Sequence, residues 1–235
     1  MNDVVQLVEE LKSLGDPQRA QNSQRYFKTA KDEYGEGDTF LGIRVPVLRA
    51  FVKKYKQTKR EDALVLLKSD YHEIRLTAIF FLVNIYQKGD TRLKKMIFED
   101  YLANVQYINN WDIVDSSAPQ IVGHYLNNKD RSILKTLAQS SSLWERRMSI
   151  IATLYFIRHY DFQSTLDISE ILLHDKEDLI HKGVGWMLRE CGNKSQSTEE
   201  IFLKKYYKEM PRTMLRYAIE KFPETLRQAY LKSEI

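Results

Sequence analysis

Two stretches decide the fold of this chain: HEIRLTAIFFLVNIY (72–86) and LWERRMSIIATLYFIRHY (143–160). In both, apolar residues recur at i, i+3, i+4 and i+7, which is the spacing of one face of an α-helix. Strict alternation of apolar and polar residues is absent. The 9 glycines and 5 prolines among 235 residues are few for a protein of many strands and tight turns. The sequence therefore predicts an all-α protein.

Turn-forming residues predict where the helices end. The predicted breaks lie at 15–17, 34–38, 89–90, 127–128 and 191–193. None of these stretches is long enough to link two domains, so we expect a single domain over residues 1–235.

A repeat can be aligned along the chain from residue 73 onward. Four segments spaced by 36 residues, EIRLTAIFFL, NNWDIVDSSA, ERRMSIIATL and HKGVGWMLRE, begin at Glu73, Asn109, Glu145 and His181. In this register Arg75 aligns with Arg147. Each segment follows another helical segment, so the unit is a helix pair, and such pairs stack into an α-solenoid with a concave inner surface. A chance register in an all-helical chain is the alternative interpretation.

The register singles out Asp115, which aligns with Ile79 and Ile151. A carboxylate at an apolar position costs several kcal/mol unless it is paired or faces water. Trp111 lies one turn earlier, on the same helical face. Pro119 cannot donate a hydrogen bond to the carbonyl of Asp115, so the helix is expected to end or kink there.

The neighbouring repeats supply two more candidates. Arg147 aligns with Trp111, and Trp186 lies three residues after Gly183, which aligns with Arg147. Because successive repeats stack, we expect Trp111, Asp115, Arg147 and Trp186 to form one patch. The alternatives are that the tryptophans belong to the core, that Arg147 is a solvated helix residue, and that Asp115 forms a structural ion pair with it.

Other chemistry finds little support. One cysteine, Cys191, cannot build a zinc site. No glycine-rich phosphate loop or nucleophile elbow is present, so no metal and no organic cofactor is expected. None of the five histidines shows metal-ligand spacing. They are His72, His124, His159, His174 and His181.

Charge and hydropathy limit the partners and the compartment. The formal net charge is +4, from 36 Lys and Arg against 32 Asp and Glu, which permits an anionic partner. The first 15 residues are amphipathic and acidic, unlike a signal peptide, and no apolar run approaches the about 20 residues that span a bilayer. We expect a cytoplasmic monomer that does not bind membranes.

Four segments carry a resemblance to a known family. FLGIRVPVLR (40–49), NNWDIVDSS (109–117), LWERRMSII (143–151) and GWMLRE (185–190) resemble the AlkD-like family of bacterial DNA alkylation repair glycosylases. The resemblance implies HEAT-like helical repeats, curved, with a concave face that binds duplex DNA. It also implies a monofunctional glycosylase of base excision repair. Such an enzyme hydrolyses the N-glycosidic bond of cationic N3- and N7-alkylated purines, such as 3-methyladenine and 7-methylguanine.

The resemblance assigns roles residue by residue. Asp115 falls on the family's catalytic carboxylate. Trp111 and Trp186 fall on the two aromatic residues that flank the lesion, and Arg147 falls on the basic residue beside the reacting nucleotide. Tyr26, in SQRYFK, matches a further aromatic residue near the DNA.

Two further basic residues are expected to bind DNA. Lys182 and Arg189 belong to a set of lysines and arginines dispersed along the helices, which a curved solenoid can bring into line. The partner implied is double-stranded DNA that contains alkylated purines.

The chain departs from the family pattern at two places. Asn110 stands where family members often have an aromatic residue, and EYGEGD (33–38) is an acidic, glycine-rich insert. Two other functions remain open. One is a non-catalytic HEAT-repeat protein that binds distorted or branched DNA, and the other is a protein–protein scaffold.

Overall fold

The computed structural model describes residues 4–235, and every regular element within them is helical. Within residues 4–235 the extended backbone pairing is limited to an isolated parallel β-bridge between Thr39 and Tyr71. The prediction of an all-α protein is therefore confirmed. None of the described helices is both long enough and apolar enough to cross a membrane.

The chain divides into two compact units, one ending at Ser117 and the other beginning at Ala118. The expectation of a single domain over residues 1–235 stays a prediction beside this division. The helices of the first unit are α1 (Val4–Ser13), α2 (Pro17–Tyr26), α3 (Val45–Lys54), α4 (Arg60–Leu66), α5 (His72–Lys88), α6 (Thr91–Ala103) and α7 (Trp111–Asp115), with a 3-10 turn at Val105–Tyr107.

The second unit starts with a short π-helix, Pro119–Gly123. Its further helices are α8 (Ser132–Ala138), α9 (Leu143–Ala152), α10 (Leu154–Arg158), α11 (Gln163–Ile171), α12 (Asp178–Lys194), α13 (Gln196–Tyr206), α14 (Arg212–Ala218) and α15 (Glu224–Lys232), with a 3-10 turn at Ile219–Lys221.

The cores are built on α5 in the first unit and on α12 in the second. From Ile74 to Val83 every side chain of α5 is buried, because this helix packs against α3, α4, α6 and α7. Helix α12 packs against α9, α13 and α14. Helix α5 is thus buried on all faces between Ile74 and Val83, and not on one face alone as the apolar spacing of 72–86 predicts.

Local signals explain where the helices begin. Asp16 caps α2 by accepting the N–H of Arg19, with Pro17 as the first helical residue. Asp90 caps α6 in the same way through Leu93. The predicted breaks at 15–17, 34–38, 89–90 and 127–128 are confirmed.

The break predicted at 191–193 is wrong. Helix α12 continues to Lys194, and Gly192 lies inside it. A Cβ atom at Gly192 would lie 1.7 Å from Oε2 of Glu199 in α13, so this glycine allows two helices to pack closely instead of ending one.

A shared contact marks the true register of the repeats. The fourth residue of α5, Arg75, donates to the carbonyl of Ser69, and the fourth residue of α9, Arg146, donates to the carbonyl of Ser140. In α12 the fourth residue is His181, and its Nε2 lies 2.6 Å from the carbonyl oxygen of Asp175. In each case the side chain reaches back to the loop before its helix.

This register corrects the alignment at a constant spacing of 36 residues. Arg75 corresponds to Arg146 and not to Arg147. The loops between successive helices differ in length, so a constant spacing places neighbouring repeats out of phase. The equivalence of Arg75 and Arg147 was therefore wrong, and the pairing of helices into repeats was right. The apolar position assigned to Asp115 stays a prediction, because the fourth residue of α7, Val114, is apolar and cannot make this contact.

Candidate functional site

Helix α7 carries two of the predicted site residues, Trp111 and Asp115. Its first N–H, from Trp111, donates to the side-chain oxygen of Asn110 at 2.8 Å. The helix ends at Asp115, as expected from Pro119. Ile113 and Val114 are fully buried, whereas Trp111 and Asp115 are half-buried. The core therefore holds one face of α7, and both candidate residues remain within reach of solvent.

Aromatic rings surround Trp111. Phe27 stacks on it, with ring centroids 5.5 Å apart and an angle of 20° between the planes. Tyr26 meets it edge to face at 6.1 Å and is 66% exposed. The structure thus brings Tyr26 and Trp111 together, although they are far apart in the sequence.

A buried polar cluster lies behind these rings. It consists of Asp38, His72, Arg75, Asn110 and Asp112, and we call it the His72 cluster. Arg75 Nη2 lies 2.6 Å from Asp38 Oδ1, and Asn110 Nδ2 lies 3.2 Å from Asp38 Oδ2. His72 contacts two carboxylates, with Nε2 2.9 Å from Asp112 Oδ2 and Nδ1 3.4 Å from Asp38 Oδ2.

The cluster changes the protonation of its members. Burial alone would lower the pKa of His72, but the charge and hydrogen bond of Asp112 and the hydrogen bond to Asp38 outweigh it and raise this pKa to about 9. Burial alone would raise the pKa of Asp38. The hydrogen bond from His72 and the charge of Arg75 hold it below its usual value instead.

Asp115 lies near a buried phenol of α6. The hydroxyl of Tyr101 is 2.7 Å from Oγ of Ser117, and Tyr101 is fully buried. Burial, together with the negative charge of Asp115, raises the pKa of Tyr101. Since that charge acts on a buried group, Asp115 sits in surroundings where its field is only partly screened by water.

Arg147 and Trp186 lie in the second unit, on α9 and α12. Arg147 is 5% exposed, and its Nη1 donates to the carbonyl of Leu179. The same nitrogen would lie 3.3 Å from a Cβ atom at Gly183, so the absent side chain leaves room for the guanidinium. Trp186, one turn after Gly183, is half-buried and donates from Nε1 to Glu190 at 3.0 Å. The predicted stacking of these two repeats is therefore observed.

Lys182 and Arg189 already have carboxylate partners within the second unit. Lys182 Nζ lies 2.7 Å from Asp178 Oδ2, and Arg189 pairs with Glu220. Their role in DNA binding stays a prediction, and binding a phosphate would require each of them to exchange or share its carboxylate.

The sequence did not reveal the residues behind Trp111. Phe27, Asp38, His72 and Asp112 received no role, and EYGEGD (33–38) was interpreted only as an acidic insert. A usable signal was present in α5, where His72, Glu73 and Arg75 stand at the start of a helix whose next turns are strongly apolar. Among residues 4–235, no group of three or more His, Cys, Asp or Glu is placed to hold a metal ion.

Comparisons with known proteins concern the family and the fold of this chain. Residues 7–222 match the family model described as DNA alkylation repair enzyme. A solved structure described as "Predicted DNA alkylation repair enzyme from Enterococcus faecalis" matches with a TM-score of 0.68 and 16% sequence identity, over 89% of this chain and 97% of that chain. At that identity the likeness shows the helical-repeat fold alone. A comparison with curated proteins gives no match.

Proposed function

Because the chain belongs to the DNA alkylation repair enzyme family, we propose that it is a monofunctional DNA glycosylase for cationic N3- and N7-alkylated purines in duplex DNA. Family membership supports a role in the repair of alkylated DNA. The observation that carries the glycosylase proposal is Asp115, a half-buried carboxylate that ends a short helix one turn after a half-buried tryptophan.

The chemistry of the lesion suits such a carboxylate. An alkylated purine already carries a positive charge, so it can leave without a strong general acid. As the N-glycosidic bond breaks, positive charge develops on the sugar. Asp115 would stabilise that charge and position the attacking water, and its electrostatic effect is larger where water is partly excluded. In this reaction no step requires a metal or an organic cofactor.

The other candidates would act on the base and on the backbone. The face of an aromatic ring attracts a cation, and Trp111 and Trp186 each present a half-buried indole. Arg147 is anchored to the carbonyl of Leu179 and would bind a phosphate beside the lesion. Tyr26, exposed at the edge of Trp111, would contact the DNA.

Release of free bases from methylated DNA tests the proposal. Purified protein is expected to release 3-methyladenine or 7-methylguanine from methylated genomic DNA, and to leave a duplex that contains uracil intact. Tight binding to branched or distorted duplexes without release of any base would support the non-catalytic alternative. Binding that is indifferent to DNA would support a protein–protein scaffold.

We expect the two tryptophans to determine selectivity for charged lesions. Trp111→Ala and Trp186→Ala should each lower the single-turnover excision rate of 7-methylguanine by about 5- to 30-fold, because each removes about 1–2 kcal/mol of cation attraction. Replacement by Phe should cost less, since a ring face remains.

Trp144→Phe is the matched control for the tryptophan variants, because this half-buried indole has no assigned role. Thermal melting decides between site and core. If either alanine variant lost about 3–5 kcal/mol of stability, the indole would be a core residue. Efficient removal of uracil by the wild type would refute the argument that the site selects charged bases.

We expect Arg147 to contribute to the salt dependence of DNA binding. The logarithm of the binding constant should fall with the logarithm of salt concentration by about 0.9 per phosphate neutralised. Arg147→Ala should weaken binding and reduce that slope by about one phosphate, whereas Arg147→Lys should retain the slope because the charge remains. Equal salt slopes for Arg147→Ala and the wild type would refute the proposed contact between Arg147 and a phosphate.

A further inference from the structure

The His72 cluster connects the acidic insert to the helix of the candidate catalytic residue. Asp38, from EYGEGD (33–38), contacts Arg75 and His72 of α5 and Asn110 at the start of α7. His72 in turn contacts Asp112 of α7. A loop, a long core helix and a short helix are therefore joined through one imidazole ring that is 2% exposed.

The geometry around His72 favours the doubly protonated ring. A neutral imidazole has one N–H donor and one lone pair, so one of the two carboxylates would face a lone pair at hydrogen-bond distance. The imidazolium donates from both nitrogens, to Asp112 and to Asp38. The charged groups that face it are these two carboxylates and Arg75, so two negative and two positive charges balance in the buried cluster.

The contact with Asp112 matters because α7 is too short to be stable without tertiary contacts. A helix of five residues has almost no intrinsic stability, so tertiary contacts set its position. Oδ1 of Asp112 is buried without a hydrogen-bond partner in the described part of the chain, which leaves the contact of Oδ2 with His72 to hold this carboxylate.

Aromatic contacts also connect the ring of His72 to Trp111. His72 packs against Phe27 with ring centroids 4.9 Å apart, and Phe27 stacks on Trp111 at 5.5 Å. Phe40 stacks on both rings, with its centroid 4.7 Å from that of His72 and 5.0 Å from that of Phe27. His72 thus supports α7 twice, through Asp112 and through the ring that underlies Trp111.

We propose that protonated His72 is a positioning residue that holds α7, and with it the orientation of Trp111 and Asp115, in the geometry that excision requires. The catalytic part of this proposal rests on the proposed glycosylase function. The structural part, that His72 positions α7, does not depend on that function. His72 touches no substrate and acts only through Asp112 and Phe27.

The pH dependence of Trp111 tests the positioning directly. With 5-fluorotryptophan incorporated, the three tryptophans give ¹⁹F resonances that Trp111→Phe, Trp144→Phe and Trp186→Phe assign. The Trp111 resonance is expected to shift with a midpoint near pH 9, the pKa of His72, as the ring loses its proton. His72→Gln should abolish that shift.

Two aspartate variants give the comparison. Asp112→Asn removes the charge that raises the pKa of His72, so the midpoint of the Trp111 shift should fall by about one unit or more. Asp70→Asn removes an exposed carboxylate of the loop before α5 and should leave the midpoint unchanged. A Trp111 resonance that does not titrate in the wild type would overturn the proposal, and so would equal midpoints in wild type and Asp112→Asn.

Excision kinetics then test the catalytic consequence. The single-turnover rate should fall as the pH rises through about 9, with DNA affinity unchanged, and Asp112→Asn should move this fall to lower pH. A rate that stays constant from pH 7 to 10 while Trp111 titrates would overturn the catalytic part. A wild type that excises no base would refute the proposed function, while a titrating Trp111 would still confirm that His72 positions α7.

Discussion

Asp115→Asn is expected to lower the excision rate of 7-methylguanine by about 100-fold or more, the scale seen when one electrostatic contact to a transition state is removed. The asparagine keeps the size and shape of the side chain and loses only the charge. Because the charge is needed only as the sugar becomes cationic, affinity for lesion-free duplex should hardly change. Single-turnover kinetics on a methylated duplex, with binding measured at the same salt concentration, give both quantities.

Asp175→Asn is the control for the general loss of a carboxylate. Asp175 pairs with Arg146 in the second unit, with Oδ2 2.6 Å from Nε, and has no assigned catalytic role. This variant should lower the melting temperature more than it lowers the excision rate. If Asp115→Asn behaved in the same way, with full excision and reduced stability, Asp115 would be a structural carboxylate and the proposed mechanism would fail.

Glu73→Ala is expected to lower the free energy of unfolding by about 3 kcal/mol or more, because it leaves several buried donors without an acceptor. Oε1 of Glu73 accepts the N–H of Gly42 at 2.7 Å and that of Ile43 at 3.2 Å, and Oε2 accepts the N–H of Leu41 at 2.8 Å. Each unsatisfied buried donor costs about 1–3 kcal/mol. Chemical denaturation of the full chain measures the loss.

Glu73→Gln is the matched variant, since it keeps one acceptor oxygen and should cost less than Glu73→Ala. Equal stability of Glu73→Ala and the wild type would show that the loop finds other acceptors. The loop offers little freedom for that. Gly42 has φ +78°, and a Cβ atom there would lie 2.2 Å from the carbonyl oxygen of Asp16. The segment FLGIRVPVLR (40–49) thus owes its glycine to a tight backbone approach and its position to Glu73.

The fold class could be predicted because its signals are local. Apolar residues that recur once per turn mark helices wherever they occur, and Asp16-Pro17 and Gly89-Asp90 terminate or cap helices through neighbours a few residues away. The one wrong break lay at Gly192, where the reason for the glycine is a contact with Glu199 of another helix. Glycine in a sequence does not show whether it serves a turn or a close approach.

The repeat register shows why the alignment of site residues was less secure. A constant spacing assumes loops of equal length, but the helices that begin at His72, Trp111, Leu143 and Asp178 are unequally spaced. Contacts from Arg75, Arg146 and His181 back to the preceding loops identify the true phase. The constant spacing first singled out Asp115 and Trp111, and the resemblance to a family then assigned roles to them. That spacing was wrong for Arg75 and Arg147.

The sequence by itself determined that this protein is helical, four of the breaks between its helices, which family it resembles, and that Trp111 and Asp115 lie one turn apart on one helix. Only the tertiary structure decided that Asp38, His72 and Asp112 meet beneath Trp111, and that His72 is protonated there. Helical periodicity is written in residues three and four positions apart. A buried ion network joins residues dozens of positions apart whose identities follow no period, so its existence depends on packing that no local pattern records.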